Sequence, residues 1–202
     1  MSLTKTFGAG ISGFVIGAFV ILGIRFVTYK PVTVHYHANF AVYLNGQPEK
    51  FGSPLYYLDG SCSMSGIMTP ESRAHLAKGY DGVVHAQDHS VTWGQFFENL
   101  GWYVGDDFIK TADSTLYQAS GQSRLHIIID GQDYTDLGGI TNRVIEDKDR
   151  LLLSYGDETQ QTITQQYNSV PNTAGRYDGM RNSSSCGHSI NITTKDRLAH
   201  LF

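Results

Sequence analysis

Residues 34–44 alternate strictly between two kinds of side chain. The even positions carry Tyr36, Ala38, Phe40, Val42 and Leu44, and the odd positions carry His35, His37, Asn39, Ala41 and Tyr43. Because successive side chains of a strand point to opposite faces, this pattern predicts a strand with one apolar face and one more polar face. The strand ends at Asn45-Gly46, a pair that favours a tight hairpin turn, so a partner strand is predicted at 47–51.

Downstream patterns complete the predicted fold. GVVHAQD is typical of a short strand, and SVTWGQFFENLGW predicts a helix capped by Thr92 and Gln95 and ended by Gly101. SRLHIIIDGQDYTDL predicts a second hairpin, which turns at Asp130-Gly131. RVIEDKDRLLLSYGDE predicts a tight turn at 146–149 and a buried strand at 151–155. This order indicates an α+β fold with a β-grasp-like (ubiquitin-like) mixed sheet and one packed helix.

An apolar segment without charge, TFGAGISGFVIGAFVILGI, precedes this domain. About 20 helical residues span a bilayer, so the segment predicts a single N-terminal transmembrane helix that contacts the membrane through residues 7–27. A cleaved signal peptide is the alternative reading of the same segment. Gly13 and Gly17 form a G-x-x-x-G pair, which favours close helix packing and makes a homodimer one prediction.

The predicted location of the domain depends on its cysteines. Lys5 lies on one side of the apolar segment and Arg25 and Lys30 on the other, so the charges do not decide the orientation. Cys62 and Cys186 are the two cysteines of the chain, and a pair on a membrane-anchored domain suits a disulfide in an oxidising compartment. Thiol ligation and free thiols are the alternatives. We therefore expect a single-pass cell-membrane protein with an extracytoplasmic globular domain.

Composition divides the chain into three parts and excludes one class of partner. We expect an anchor over residues 1–30, the β-grasp-like domain over 31–158, and a polar, partly irregular tail over 159–202, where glutamine, threonine, asparagine and serine dominate. The net charge is -4 and no basic stripe is present, so nucleic-acid binding is not predicted.

Candidate chemistry is concentrated in the histidines, since five of the eight lie between residues 35 and 89. His35 and His37 share one face of the first strand, His85 and His89 flank the end of a later strand, and His75 lies in the insert between them. Imidazole is the commonest transition-metal ligand, so these five residues are predicted to hold zinc, with copper as the alternative. The competing interpretation is that they are exposed polar residues of a strand.

No catalytic motif accompanies these histidines. H-E-x-x-H and G-x-S-x-G are both absent from the sequence, so no catalytic residue and no organic cofactor site is predicted, and enzymatic activity is left open. Two further hypotheses remain beside a metal-binding domain. One is a metal-free module that binds a protein partner at the cell surface, and the other is a metal-dependent hydrolase.

Two segments, HYHANFAVYLNG and GVVHAQDHSVTWGQFFENLGW, resemble a group of uncharacterised prokaryotic membrane-anchored proteins. Those proteins share an H-x-H-x-x-F-x-V-x-x-N-G strand, a V-[IV]-H segment and a T-x-G-x-F-F helix start. The similarity covers residues 34–102 and implies a histidine-rich, β-grasp-like extracytoplasmic domain without an established activity. Members of the group often carry a further H-x-H before the V-[IV]-H segment, where this chain has His75 alone.

Overall fold

A computed structural model describes residues 3–29, 34–52, 56, 69–76, 82–134, 140–178 and 193–199. The chain forms two compact units, one made of Met1–Val32 with Gly187–Phe202 and the other of Thr33–Cys186. The described helices are α1 (Leu3–Thr28), α2 (Pro70–Arg73), α3 (Trp93–Asn99), α4 (Gln160–Ser169) and α5 (Thr194–Ala199). The described strands are β1 (Tyr36–Leu44), β2 (Gln47–Pro48), β3 (Ala74–Leu76), β4 (Val83–Ala86), β5 (Tyr103–Val104), β6 (Phe108–Lys110), β7 (Leu116–Gln118), β8 (Arg124–Ile129), β9 (Gln132–Asp133) and β10 (Arg150–Gly156).

A mixed sheet is the centre of the second unit. Within the described ranges its strands follow the order β3-β4-β1-β10-β8-β9, and β2 pairs with the far end of β1. β1 and β10 run parallel, whereas the other neighbours pair antiparallel. The prediction of an α+β fold with a mixed sheet is therefore confirmed. β5, β6 and β7 form a separate small antiparallel sheet.

Both predicted hairpin turns are present. Asn45 and Gly46 have φ of 50° and 76°, and Asp130 and Gly131 have φ of 52° and 79°. Two successive positive φ values give the turn whose twist matches that of the flanking strands, which explains the Asn-Gly and Asp-Gly choices. β2 is shorter than predicted and ends at Pro48, which has no N–H to continue the ladder.

Helix α3 covers one face of the sheet. It begins with the predicted capping box, in which the Thr92 side chain accepts from the Gln95 N–H and the Gln95 side chain accepts from the Thr92 N–H. The even positions of β1 face this helix: Phe40 packs with its ring centroid 5.1 Å from that of Phe96 and 6.0 Å from that of Phe97. This face is the main hydrophobic core of the unit.

Helix α4 covers the opposite face, although its residues belong to the segment predicted as a polar tail. Ile163 of α4 and Val170 pack on Ile128 and Leu152 of the sheet. Gln166 is also buried, and its Oε1 accepts a hydrogen bond of 2.7 Å from the Ser154 hydroxyl. Helix α4 has a polar composition because only one of its sides is apolar. That side is sufficient to pack the helix on the sheet.

The first unit contains α1 and α5. Arg197 of α5 donates to the carbonyl oxygens of Phe26 and Val27 at 2.6 and 3.0 Å, and its guanidinium lies 5.7 Å from the Phe26 ring centroid. Among the helices that the structure describes, none combines the length and the apolar character that crossing a membrane requires.

Candidate metal centre

Strand pairing brings three histidines side by side. His37 of β1 lies directly opposite His85 of β4, and His85 lies opposite His75 of β3. His35 precedes His37 by two residues, and side chains two apart on an extended chain point to the same side. Four of the five predicted site residues are therefore collected on one side of the sheet, from three separate chain segments.

Three of these histidines form a tight group. One ligand nitrogen from each of His35, His37 and His85 lies within 4.8 Å of the other two. The Nε2 atom of His37 and the Nδ1 atom of His85 are 3.1 Å apart. Two nitrogens bound to one zinc ion at about 2.0–2.1 Å in tetrahedral geometry lie about 3.3 Å apart. The spacing between His37 and His85 thus matches that of two ligands of one ion, apart from a shift of a few tenths of an ångström.

His75 lies beside the three-histidine group without being part of it. Its ring stacks on that of His85 with centroids 5.7 Å apart and planes inclined by 13°. The Nδ1 atom of His75 is buried and has no hydrogen-bond partner among the described residues, and the same holds for Nε2 of His35. Buried nitrogens without a partner cost free energy unless something binds them, so both are candidates for ligation.

His89 is not brought into this cluster. β4 ends at Ala86, and the following turn leaves His89 exposed, with its ring stacked 6.5 Å from the ring of Tyr36. Tyr36 belongs to the opposite face of β1 and packs against the core beneath α3. Neighbouring Asp88 is engaged by Arg73 at 2.8 Å. Cys62 and Cys186, and hence their predicted disulfide, lie outside the described residues.

Burial lowers the pKa of three of the clustered histidines, His35, His75 and His85. His37 and His85 are 0% and 1% exposed, whereas His35 and His75 are partly buried. Burial, and then the repulsion from neighbouring histidines, lowers the pKa of His85 to about 3. Burial and the proximity of His35 lower the pKa of His75 to about 4, and burial and His37 also lower the pKa of His35. Neutral imidazoles are the form that binds a metal, so at pH 7 no proton has to be removed from these three.

A segment after α4 covers this side of the sheet, and we name residues 170–178 the strap. The Oδ1 atom of Asn39 accepts hydrogen bonds from the N–H groups of Thr173 and Ala174 at 2.9 and 2.8 Å. The Nδ2 group of Asn39 donates to the Gly82 carbonyl oxygen at 3.1 Å and to the Thr173 hydroxyl at 3.2 Å. Asn39 is fully buried, so it binds the strap with every polar atom of its side chain satisfied.

The strap carries an acidic residue that the sequence analysis missed. Asp178 places its Oδ1 atom 3.0 Å from the Nδ1 atom of His37, and its Oδ2 atom 3.4 Å from the Nζ atom of Lys148. Burial acts to raise the pKa of Asp178, but the hydrogen bond with His37 and the charge of Lys148 outweigh it and lower the pKa. No local signal singles out Asp178, because it lies 141 residues from its partner in a polar segment.

The arrangement has the donor set of a transition-metal site. His35, His37 and His85 lie close enough together that they could hold a metal ion. Imidazole binds zinc and copper alike, so the donor type does not select the metal. No family model, curated protein or solved structure matches the chain. The geometry of the histidines and of the residues around them is therefore the basis for a function.

Proposed function

We propose that the second unit is a transition-metal-binding domain, with zinc as the expected ion and copper as the alternative. The observation that carries the proposal is the group of three histidine nitrogens within 4.8 Å of one another, two of them on residues that are almost completely buried. Burying imidazoles next to each other without a ligand is costly, and a shared metal ion would offset that cost. His75, whose ring stacks on that of His85, is the candidate for a fourth metal ligand.

The role that fits this site best is capture or delivery of the ion. A purely structural zinc site has four protein ligands that close around the metal, whereas the close group found among the described residues has three. His35 is only partly buried, so the metal would be reached from that side while His37 and His85 stay fixed beneath it. Exchange through an accessible side is what a protein that passes on a metal requires.

The scaffold proposed for this site is β-grasp-like. The parallel pairing of the first and last long strands, β1 and β10, at the centre of the sheet supports it. The position of α3 supports it as well. This helix packs across one face of the sheet, and it follows β4, the neighbour of β1, and precedes β8 along the chain. On such a scaffold the face of β1 that points away from α3 can carry a site, and that face carries His35 and His37.

Metal content of the purified full-length chain tests the proposed function. We expect about one zinc or copper ion per chain by plasma mass spectrometry, and its loss in a His37→Ala/His85→Ala double variant. His126→Ala is the matched control, since His126 lies on β8 outside the close group. The single variant His35→Ala changes a partly buried residue and spares the fold, and it should weaken zinc binding at least about tenfold. Wild-type protein that stays metal-free after reconstitution with zinc and copper would contradict the proposal.

We also propose that α1 attaches the protein to the cell membrane, with the second unit on the extracytoplasmic side. Large apolar side chains of α1 are exposed, including Phe14 at 79%, Phe19 at 72% and Val27 at 73%. Exposed apolar surface of this extent marks contact with a membrane or a partner.

Cell fractionation tests the membrane attachment. We expect the full-length chain in the membrane fraction after alkaline carbonate washing, and a variant without residues 7–27 in the soluble fraction, because the deletion removes the exposed apolar surface. External protease should digest the second unit in spheroplasts that remain intact. Recovery of the full-length chain in the soluble fraction would refute the attachment, and protection from protease would refute the orientation.

A further inference from the structure

We infer that Asp178 is a positioning residue, which holds the His37 proton on Nδ1 and thereby presents Nε2 to the metal. This inference rests on the proposed function. It begins with the hydrogen bond of 3.0 Å between Asp178 Oδ1 and His37 Nδ1. An ionised carboxylate can only accept a hydrogen bond, so the proton of this pair belongs to Nδ1. A neutral imidazole that carries its proton on Nδ1 has its lone pair on Nε2, the atom that faces His85.

Lys148 supports the carboxylate from the other side. Its Nζ atom lies 3.4 Å from Asp178 Oδ2, and its backbone N–H donates to the His37 carbonyl oxygen at 2.8 Å. One residue of the turn before β10 therefore contacts both members of the pair, the histidine through its backbone and the aspartate through its ammonium group. Lys148 sits at a φ of 67°, which is uncommon for a residue with a side chain and fixes the turn in this orientation.

The orientation of His37 also fixes the neighbouring histidine in the metal-free protein. With the His37 proton on Nδ1, the hydrogen bond of 3.1 Å between His37 Nε2 and His85 Nδ1 needs the His85 proton on Nδ1. For His85 to ligate a metal through Nδ1, its proton would have to move to Nε2 of the same ring, which leaves the net charge of the histidine unchanged. Asp178 thus leaves His37 ready as a ligand, and the rearrangement on binding is confined to His85.

A carboxylate behind a ligating histidine raises the basicity of the ligand and holds its ring, and removing such a partner typically costs 10–100-fold in metal affinity. Asn39 holds the strap to the sheet through its hydrogen bonds with Thr173 and Ala174, which lie five and four residues before Asp178. The Asp178 carboxylate therefore reaches His37 from a segment that is remote in sequence. The backbone of that segment is held by Asn39 and not by the metal.

Two readouts on the full-length chain test the inference. In the metal-free wild type, long-range nitrogen–proton spectra should show His37 protonated on Nδ1 alone, and in Asp178→Ala a mixture of the two tautomers. In a competition titration with a zinc chelator, Asp178→Ala should raise the zinc Kd about 10–100-fold while saturating zinc still gives the wild-type stoichiometry. Asp147→Asn is the matched control: Asp147 contacts the same Lys148 Nζ at 2.8 Å and should leave the tautomer and the Kd unchanged.

The outcomes separate this inference from the proposed function. A wild-type chain that binds no zinc overturns the proposed function, and with it the role of Asp178 toward a metal. A wild-type chain that binds zinc, with a Kd that Asp178→Ala leaves unchanged, overturns the inference alone. An affinity loss without any change in the His37 tautomer also overturns it, because a general loosening of the strap would then explain the result. Asp178→Glu, which keeps the carboxylate, should recover part of the lost affinity.

Discussion

Lowering the pH from 7 to 5 is expected to destabilise the metal-free protein by several kcal/mol. The cause is the pair His75 and His85, whose pKa values in the folded chain are lowered to about 4 and about 3. The unfolded chain returns both to the ordinary value of 6.5. As the pH falls, the unfolded chain therefore binds protons at a higher pH than the folded chain does. Acid thus shifts the equilibrium toward unfolding.

The pH window follows from these values. Above about pH 7 both histidines are neutral in both states, so they give the free energy of unfolding no pH dependence. Below pH 6.5 the unfolded chain binds two protons that the folded chain does not, and each lowers the free energy of unfolding by about 1.4 kcal/mol per pH unit. At pH 5 the loss reaches roughly 2 kcal/mol per histidine. It levels off below about pH 4, where the folded histidines begin to accept protons as well.

Urea unfolding across pH 4 to 8 in the presence of a strong chelator measures this effect without metal. His85→Asn should remove about half of the loss between pH 7 and 5, because it removes one of the two histidines whose pKa is lowered most. His126→Asn, on β8 outside the close group, should follow the wild-type curve. A loss between pH 7 and 5 that is the same in His85→Asn as in the wild type would show that His85 is not held neutral. Zinc at saturation should move the loss to lower pH, because protons must then compete with the ion.

Local sequence patterns predicted the elements that depend on near neighbours. The Thr92–Gln95 capping box, the Asn45-Gly46 turn and the alternation along β1 each involve residues within a few positions of one another, and each is present in the structure. Alternation also predicted that His35 and His37 share the more polar face of β1, which in the structure points away from α3. Backbone geometry determines such features, so they can be deduced without knowing the tertiary packing.

Features that depend on register between distant strands could not be deduced. The pairing of His37 with His85 needs β1 and β4 in one register, because a slip by one residue would turn His85 to the other face. His89 shows the same limit: its spacing from His85 suggested a ligand, but the chain leaves β4 at Ala86 and turns away. The contact between Asp178 and His37 depends on the docking of α4 and the strap, which no short-range pattern encodes.

Replacing Asn39 by alanine is expected to cost about 3 kcal/mol of the free energy of unfolding. The change removes the acceptor of the Thr173 and Ala174 N–H groups and the donor to the Gly82 carbonyl oxygen. The Gly82 carbonyl oxygen keeps the Phe40 N–H as a donor. The N–H groups of Thr173 and Ala174 lose their acceptor at a cost of about 1–3 kcal/mol each, and partial rehydration of a loosened strap reduces the sum. The strap should also move away from the sheet and take Asp178 with it, so zinc affinity should fall together with stability.

Tyr43→Phe is the matched control for Asn39→Ala. Tyr43 lies on the same strand and the same face, and its hydroxyl makes one solvent-exposed hydrogen bond of 2.7 Å with Ser169, so its loss should cost less than about 1 kcal/mol. Urea unfolding of both variants beside the wild type gives the comparison, and a zinc titration of each shows whether the site follows the strap. If Asn39→Ala unfolds at the wild-type urea concentration, the strap is not held by this side chain. If it is destabilised yet binds zinc with wild-type affinity, zinc binding does not depend on the hydrogen bonds by which Asn39 holds the strap.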